Sequence, residues 1–305
     1  MQDSGITKPK ICITLMESMN ISFLRKGDHY FPILKVGNEK RILKESVDLN
    51  NFYANINHYT KLYEELEPVD IEPGTIPVYP GKILCPSMNF MTHSAETKQK
   101  VPEYPYFFTK FRDTITGWNS PILKHREMRQ LDYEGEIAAI IGKKIKSADE
   151  KTAEESICAL AVVNDVSARD YQEQISPPFG KNWVMGKAAD SFLPISSWVK
   201  LYEGDPVEFT TEVNGEIRQK GNTKNMIFPF RKLISYVNKF VTLYPGDMIL
   251  SGTPDGVAKS GKYPYLKTFM PESLYYSCMP VSRVSYSKGR IIALKKNQVK
   301  RNGFC

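Results

Sequence analysis

The chain has 305 residues, of which 41% are hydrophobic and 25% are charged, and its formal net charge is +7. This composition is typical of a folded globular protein and excludes a disordered, collagen-like or disulfide-scaffold chain. The five cysteines are widely spaced without a Cys-x-x-Cys pair, and no apolar stretch approaches the roughly 18 residues of a membrane span. We therefore expect a cytoplasmic protein with reduced thiols and no membrane partner.

A proline-rich stretch divides the chain near residue 80. Residues 1–80 include a polar helical stretch from Asn57 to Leu66 and predict a small N-terminal α/β domain. Four prolines follow between Glu67 and Gly81, and each removes an amide donor and favours extended geometry in the residue before it. We place a domain boundary there, with a larger domain at 81–268 and a basic C-terminal segment at 269–305.

The larger domain reads as rich in strands. Apolar runs predict strands at Glu136 to Ile141 and Ala159 to Val163, and a capping box at Thr152 to Glu155 predicts the start of a short helix between them. Asn214-Gly215 favours a type I′ turn and hence a β-hairpin. Apolar spacing from Ile227 to Phe240 predicts an amphipathic helix. The fold class predicted is α+β, without a regular βαβ alternation.

Two stretches place carboxylates where they would meet. Glu134 and Glu136 are two residues apart, so on a strand they would share one face. Asp165 follows the apolar strand at Ala159 to Val163 and would complete a three-oxygen site for Mg²⁺, Mn²⁺ or Ca²⁺. The alternative is a solvated strand edge, with Asp165 capping a turn or pairing with Arg169.

Of the four histidines, His93 has the most informative surroundings. His93 and Glu96 are three residues apart, so one helical turn would place them on the same face. A carboxylate there would orient the imidazole and raise its basicity, which is the arrangement of a general base. The alternative is an ordinary pair on a helix surface.

Between Gly81 and Val257 the chain carries six motifs in this order: N-F-x-x-H-x-x-E, D-Y-E-G-E, N-D-V-S-A-R-D-x-Q, G-K-x-x-D, V-N-G-E-x-R-Q and P-G-D-x-I-x-x-G-T-P-x-G-V. Their order resembles the fumarylacetoacetate hydrolase family. The resemblance implies a mixed β-sandwich roll that binds a divalent metal, commonly Mg²⁺ and sometimes Mn²⁺ or Ca²⁺, and that is usually a homodimer.

The resemblance also implies roles for nine residues. The implied metal ligands are Glu134, Glu136 and Asp165, and the implied catalytic pair that activates water is His93 and Glu96. Lys187 would stabilise developing negative charge. The groups that would hold the substrate carboxylate and keto oxygens are Arg169, Gln172 and Thr253.

The leading functional hypothesis is a metal-dependent hydrolase that cleaves a C–C bond in a β-diketo acid of acylpyruvate or fumarylpyruvate type, through a metal-bound enolate, in aromatic catabolism. On the same scaffold the alternatives are a decarboxylase, an isomerase or hydratase, and a dehydratase of a 2-oxo acid. A non-catalytic binding protein is the alternative from a different class.

The positive charge does not indicate a nucleic-acid partner for the larger domain. Residues 281–305 hold seven basic and no acidic residues, so residues 1–280 have 34 of each and no net charge. We expect a small-molecule oxo acid as the substrate and no nucleic acid as a partner.

Overall fold

The computed structural model describes residues 18–266, apart from residues 74–75, 98–99, 118–119, 175–179 and 215. The basic segment predicted at 269–305 lies outside the described residues. Within the described part of the chain, no helix is long and apolar enough to span a membrane.

The strands are short to medium in length and are numbered in chain order. They are β1 (Asn20–Lys26), β2 (His29–Val36), β3 (Glu39–Ile42), β4 (Glu67–Pro68), β5 (Ile83–Ser87), β6 (Tyr106–Lys110), β7 (Ile115–Gly117), β8 (Leu131–Asp132), β9 (Gly135–Ile141), β10 (Ile157–Asn164), β11 (Ser167–Ala168), β12 (Leu193–Leu201), β13 (Glu208–Val213), β14 (Glu216–Asn222) and β15 (Met248–Leu250). The α-helices are α1 (Leu49–Ala54), α2 (Ile56–Lys61), α3 (Met91–Thr97), α4 (Glu150–Glu154), α5 (Arg169–Gln172), α6 (Trp183–Lys187) and α7 (Phe230–Asn238).

Eleven strands form one mixed sheet in the order β4-β3-β2-β1-β12-β10-β9-β15-β5-β6, with β7 parallel to β12. Two further pairs, β8 with β11 and β13 with β14, are separate from it. The predicted α+β class, rich in strands, is confirmed, and its helices are few and short. Because β1 pairs with β12, the strands before residue 80 extend the same sheet, and the domain boundary at that point stays a prediction.

The central strands β9 and β10 are buried on both faces of the sheet. In β9, Ala138 and Ile140 face a core cluster that includes Phe52 of α1, whereas Ile137 and Ala139 face a second cluster that includes residues of α7. Successive side chains of a strand point to opposite faces, so one apolar run fills both cores. This explains why the strand at the site reads as continuously hydrophobic.

The helices differ from the sequence prediction at their ends. The helix between β9 and β10 begins at Glu150, because the Asp149 side chain accepts a hydrogen bond from the Thr152 N–H and caps it; the cap predicted at Thr152 was wrong. Helix α7 begins only at Phe230, and Pro229 before it is extended, with ψ 161°. A helix that began earlier would need a helical residue just before Pro229, which a proline disfavours. The predicted hairpin is confirmed as β13 and β14, with Asn214 at φ 55° in its turn.

Candidate metal and active site

The three predicted metal ligands meet where β9 begins and β10 ends. The two strands are antiparallel, with Glu136 opposite Val163, and the Asp165 N–H donates to the Glu134 carbonyl at 2.8 Å. As a result, carboxylate oxygens of Glu134, Glu136 and Asp165 lie within 4.8 Å of one another, and all three residues are buried. The solvated-edge alternative is thereby excluded for these residues.

Lys187 joins two of these carboxylates. Its Nζ lies 2.5 Å from Glu134 Oε2 and 2.9 Å from Asp165 Oδ2, and its side chain is 2% exposed. Burial by itself lowers the pKa of Lys187, but the charges of Asp165 and Glu134 outweigh burial and raise it. Lys187 is therefore a fixed positive charge at the centre of the site.

Glu134 and Glu136 are held very differently. Burial raises the pKa of Glu134, but the Arg169 and Lys187 charges reverse this effect and lower it. The pKa of Glu136 is instead well above its usual range, because of burial and then the nearby charges of Asp165 and Glu134. Glu136 accepts a hydrogen bond from the Gly252 N–H at 2.8 Å and forms no ion pair within the described part of the chain.

This arrangement fits a divalent cation. Carboxylate oxygens are the ligands that Mg²⁺, Mn²⁺ and Ca²⁺ prefer. A cation near Glu136 would supply the compensating charge that the buried Glu136 carboxylate lacks. The site is thus a buried acidic triad suited to a divalent metal, with the particular ion left open.

Lys110, at the end of β6, was missed by the sequence analysis. Its fully buried Nζ lies 2.8 Å from Asp165 Oδ1 and donates to the carbonyls of Val166 at 3.1 Å, Phe192 at 2.9 Å and Lys187. Burial lowers the pKa of Lys110, although Asp165 partly opposes this. Its only signal in the sequence is a lysine that ends an aromatic strand.

Arg169 is held largely by protein groups. Its Nε donates to Asp132 at 2.9 Å, its Nη2 to Glu134 at 2.5 Å and its Nη1 to Gln172 at 2.9 Å. A guanidinium has five N–H donors, so two remain for a substrate. The roles predicted for Arg169 and Gln172 in substrate binding stay predictions, while Asp132, which the sequence analysis did not assign, positions Arg169.

The Thr253 hydroxyl is also engaged by the protein. It donates to the Gly135 carbonyl at 3.0 Å and accepts from Gln219 Nε2 at 2.8 Å. Gln219 Oε1 in turn accepts from the Gly135 N–H at 3.0 Å. Gly135 lies so close to the hairpin that a Cβ there would come within 1.9 Å of Thr211 Oγ1. These contacts fix the backbone between the two glutamates, and substrate binding by Thr253 stays a prediction.

His93 and Glu96 both lie on α3, as the spacing predicts. His93 Nδ1 is 3.9 Å from Glu96 Oε2, which is longer than a hydrogen bond. The Glu96 oxygens accept from the Gly256 N–H at 3.1 and 3.0 Å. Burial raises the pKa of Glu96, but His93 and the Gly256 N–H outweigh burial and lower it. Glu96 is therefore an anion beside His93, and the catalytic role of the pair stays a prediction.

One cavity that opens to solvent connects most of these groups. Seven of the nine predicted site residues line it: His93, Glu134, Glu136, Arg169, Gln172, Lys187 and Thr253. Trp183 and Phe108, whose rings stack at 4.8 Å, form an apolar wall. Two lysines without a predicted role, Lys181 and Lys259, also line it.

A large mixed sheet with few helices and a buried acidic triad beside a polar cavity is the arrangement of an α+β protein with a candidate metal site. Residues 82–274 match the family model described as fumarylacetoacetate (FAA) hydrolase C-terminal. The chain belongs to this family and is an enzyme, so the resemblance drawn from the six motifs is confirmed. Members of the family act on keto acids as hydrolases, isomerases and tautomerases.

Three similar proteins show the range of the family. A Xenopus laevis protein named oxaloacetate tautomerase fahd2, mitochondrial, is 33% identical over 86% of this chain and 81% of its own. A fumarylacetoacetate hydrolase from Exiguobacterium antarcticum has a TM-score of 0.68 and 25% identity, covering 87% of this chain and 99% of its own. A fumarylpyruvate hydrolase from Pseudomonas aeruginosa, solved with Mn²⁺ and pyruvate, has a TM-score of 0.54 and 29% identity, covering 61% and 83%.

Proposed function

We propose that this enzyme holds a divalent metal through Glu134, Glu136 and Asp165 and uses it to act on a 2-oxo acid. The observation that carries the proposal is the buried triad, in which Glu136 has no compensating cation among the described residues. The bound metal would act as a Lewis acid that polarises the keto oxygen of the substrate. Support for this choice of substrate comes from the Pseudomonas relative, which was solved with Mn²⁺ and pyruvate.

The leading reaction is hydrolysis of an acylpyruvate. His93 takes a proton from water, and the resulting hydroxide adds to the carbonyl remote from the carboxylate. The C–C bond then breaks, and its electron pair becomes the enolate of pyruvate, while the other fragment leaves as a carboxylic acid. Lys187 stabilises the enolate oxygen, an effect worth about 3 kcal/mol for a well-placed donor. His93 returns its proton to the enolate carbon.

Keto–enol tautomerisation of oxaloacetate is the second candidate. It needs His93 to take a proton from C3 and return it to the enolate oxygen, which Lys187 stabilises, but it needs no oriented water. The 3.9 Å separation of His93 and Glu96 favours it, because a base that activates water depends on a partner that orients it. The name of the Xenopus relative also supports this candidate.

The test is an assay of the purified full chain with Mg²⁺ or Mn²⁺. Acetylpyruvate and fumarylpyruvate would report C–C hydrolysis by the release of pyruvate, and oxaloacetate would report tautomerisation by ultraviolet absorbance. We expect His93→Ala to abolish the activity found, and His58→Ala, at an exposed position, to leave it unchanged. Full activity of His93→Ala would refute the assigned base, and no turnover of any of the three acids would refute the proposed function. A homodimer, Mg²⁺ as the particular ion and a cytoplasmic location stay predictions.

A further inference from the structure

Besides Lys187, the lysines Lys181 and Lys259 line the active-site cavity. Lys181 Nζ lies 3.2 Å from Glu173 Oε1, and Lys259 Nζ forms a close ion pair with the same oxygen. One carboxylate therefore serves two ammonium groups, and the cluster keeps a net positive charge. We call Lys181, Lys259 and Glu173 the lysine pair and its carboxylate.

The lysine pair is tied to the active site through the backbone. The Lys259 N–H donates to Asp132 Oδ2 at 3.0 Å, and the same oxygen accepts from Arg169 Nε at 2.9 Å. The Glu173 N–H donates to the Arg169 carbonyl at 2.9 Å. Both ends of the cluster are thus held against Arg169, which reaches Glu134 of the triad.

Both ammonium groups have capacity left for a ligand. An ammonium has three N–H donors, and Glu173 accepts one from each lysine. The side chains of Lys181 and Lys259 are 27% and 24% exposed, so water screens them less than it screens surface lysines. A carboxylate that entered the cavity between them would form charge-assisted hydrogen bonds, which are stronger than neutral ones.

We propose that Lys181 and Lys259 bind a second carboxylate of the substrate, so that this enzyme prefers dicarboxylic 2-oxo acids. This inference rests on the proposed function, because the 2-oxo acid group of the substrate would lie at the triad. The second carboxylate lies at the opposite end of the substrate, and Glu173 positions the two lysines.

The test compares two stable probes that have five carbons each. 2-Oxoglutarate has the second carboxylate and 2-oxopentanoate lacks it, and the affinity of the full chain for each is measured by isothermal titration in Mg²⁺. We expect the wild-type protein to bind 2-oxoglutarate roughly 10-fold more tightly, the effect of about one charge-assisted contact. The single variant Lys259→Met and the double variant with Lys181→Met should both remove this preference and leave the affinity for 2-oxopentanoate unchanged.

Two further variants separate recognition from structural damage. Glu173→Gln removes the competing carboxylate and should strengthen 2-oxoglutarate binding, whereas damage to the site would weaken binding of both probes. Lys262→Met, at an exposed neighbour outside the cavity lining, should change neither. Equal binding of the two probes by the wild-type protein, or equal losses of affinity for both in Lys259→Met, would overturn this inference but not the proposed function. If the wild-type protein bound neither probe, both the proposed function and this inference would be refuted.

Discussion

Replacing Lys110 by methionine would remove the buried cation behind Asp165. Removing one partner of a buried ion pair costs about 3–5 kcal/mol when the other charge is left alone. Asp165 would keep Lys187 at 2.9 Å, which places the electrostatic loss near 3 kcal/mol or below. The carbonyls of Val166, Phe192 and Lys187 would each lose a donor. The Phe192 carbonyl keeps the Val166 N–H at 3.1 Å, so two carbonyls lose their donor without a replacement, at about 1 kcal/mol each.

We therefore expect Lys110→Met to lower the free energy of unfolding by about 3–5 kcal/mol, a large share of the roughly 5–15 kcal/mol of a typical domain. Urea unfolding of the metal-free chain, followed by circular dichroism, measures this loss. Saturating Mg²⁺ should narrow the difference from the wild-type protein, because the ion would compensate the charge of Asp165.

The matched control is Lys143→Met. Lys143 pairs with Glu155 at 3.7 Å, and the two side chains are 46% and 54% exposed. A pair so exposed contributes about 0–1 kcal/mol, so this variant should unfold almost as the wild-type protein does. If Lys110→Met cost no more than Lys143→Met, the assignment of Lys110 as the buried support of Asp165 would be wrong.

Three further predictions concern the site and its surroundings. Glu136→Gln removes a buried carboxylate with a raised pKa, so we expect a higher melting temperature without metal and the loss of stabilisation by Mg²⁺; an unchanged Mg²⁺ effect would contradict its role as a ligand. Gly256 has φ +99°, and Gly256→Ala would bring a Cβ within 1.9 Å of the Arg218 carbonyl. We expect this variant to lower the free energy of unfolding in urea by about 3 kcal/mol. Its control, Gly204→Ala, has open space at φ +87° and should lower it by about 1 kcal/mol. The pKa of Glu96 is lower in the folded protein than in the unfolded chain. Its contribution to stability is therefore present above the unfolded-state pKa and is lost as the pH falls through the folded-state pKa. Glu96→Gln should flatten the acid side of a plot of unfolding free energy against pH, and an unaltered plot would contradict this.

The acidic triad was predictable because its signals are local. The alternation of side chains along a strand places Glu134 and Glu136 together, and a buried strand that ends at Asn164 delivers Asp165 to the same edge. The sequence carries both patterns within a few residues, and the antiparallel pairing of β9 and β10 only had to bring two neighbouring segments together.

Lys110 and Asp132 were not predictable in the same way. Lys110 meets Asp165 only through the tertiary fold. The strand β6 lies at one edge of the sheet, and the Lys110 Nζ lies 2.8 Å from Asp165 Oδ1. A lysine at a strand end is usually exposed, so nothing local indicates that it is buried. Asp132 lies inside a recognised motif, yet its role depends on Arg169 and on the backbone of Lys259, which are distant in sequence.

The prediction of the N-cap of α4 failed for a different reason. Asp149 and Thr152 are both residues that cap helices, and they lie three positions apart. The structure resolves the competition in favour of Asp149, whose carboxylate accepts the Thr152 N–H at 2.7 Å. A motif alone does not show which of two capping residues three positions apart has the extended backbone that a cap requires.

If the buried triad and Lys187 stabilise the enolate of a 2-oxo acid, this enzyme should exchange the C3 protons of pyruvate with solvent. Proton nuclear magnetic resonance in D₂O follows these protons in the presence of the full chain and Mg²⁺. We expect the wild-type protein to exchange them for deuterium only when Mg²⁺ is present, and Glu136→Gln and His93→Ala to leave them unexchanged. Exchange at the same rate without metal, or no exchange by the wild-type protein, would contradict enolate stabilisation by the triad and Lys187.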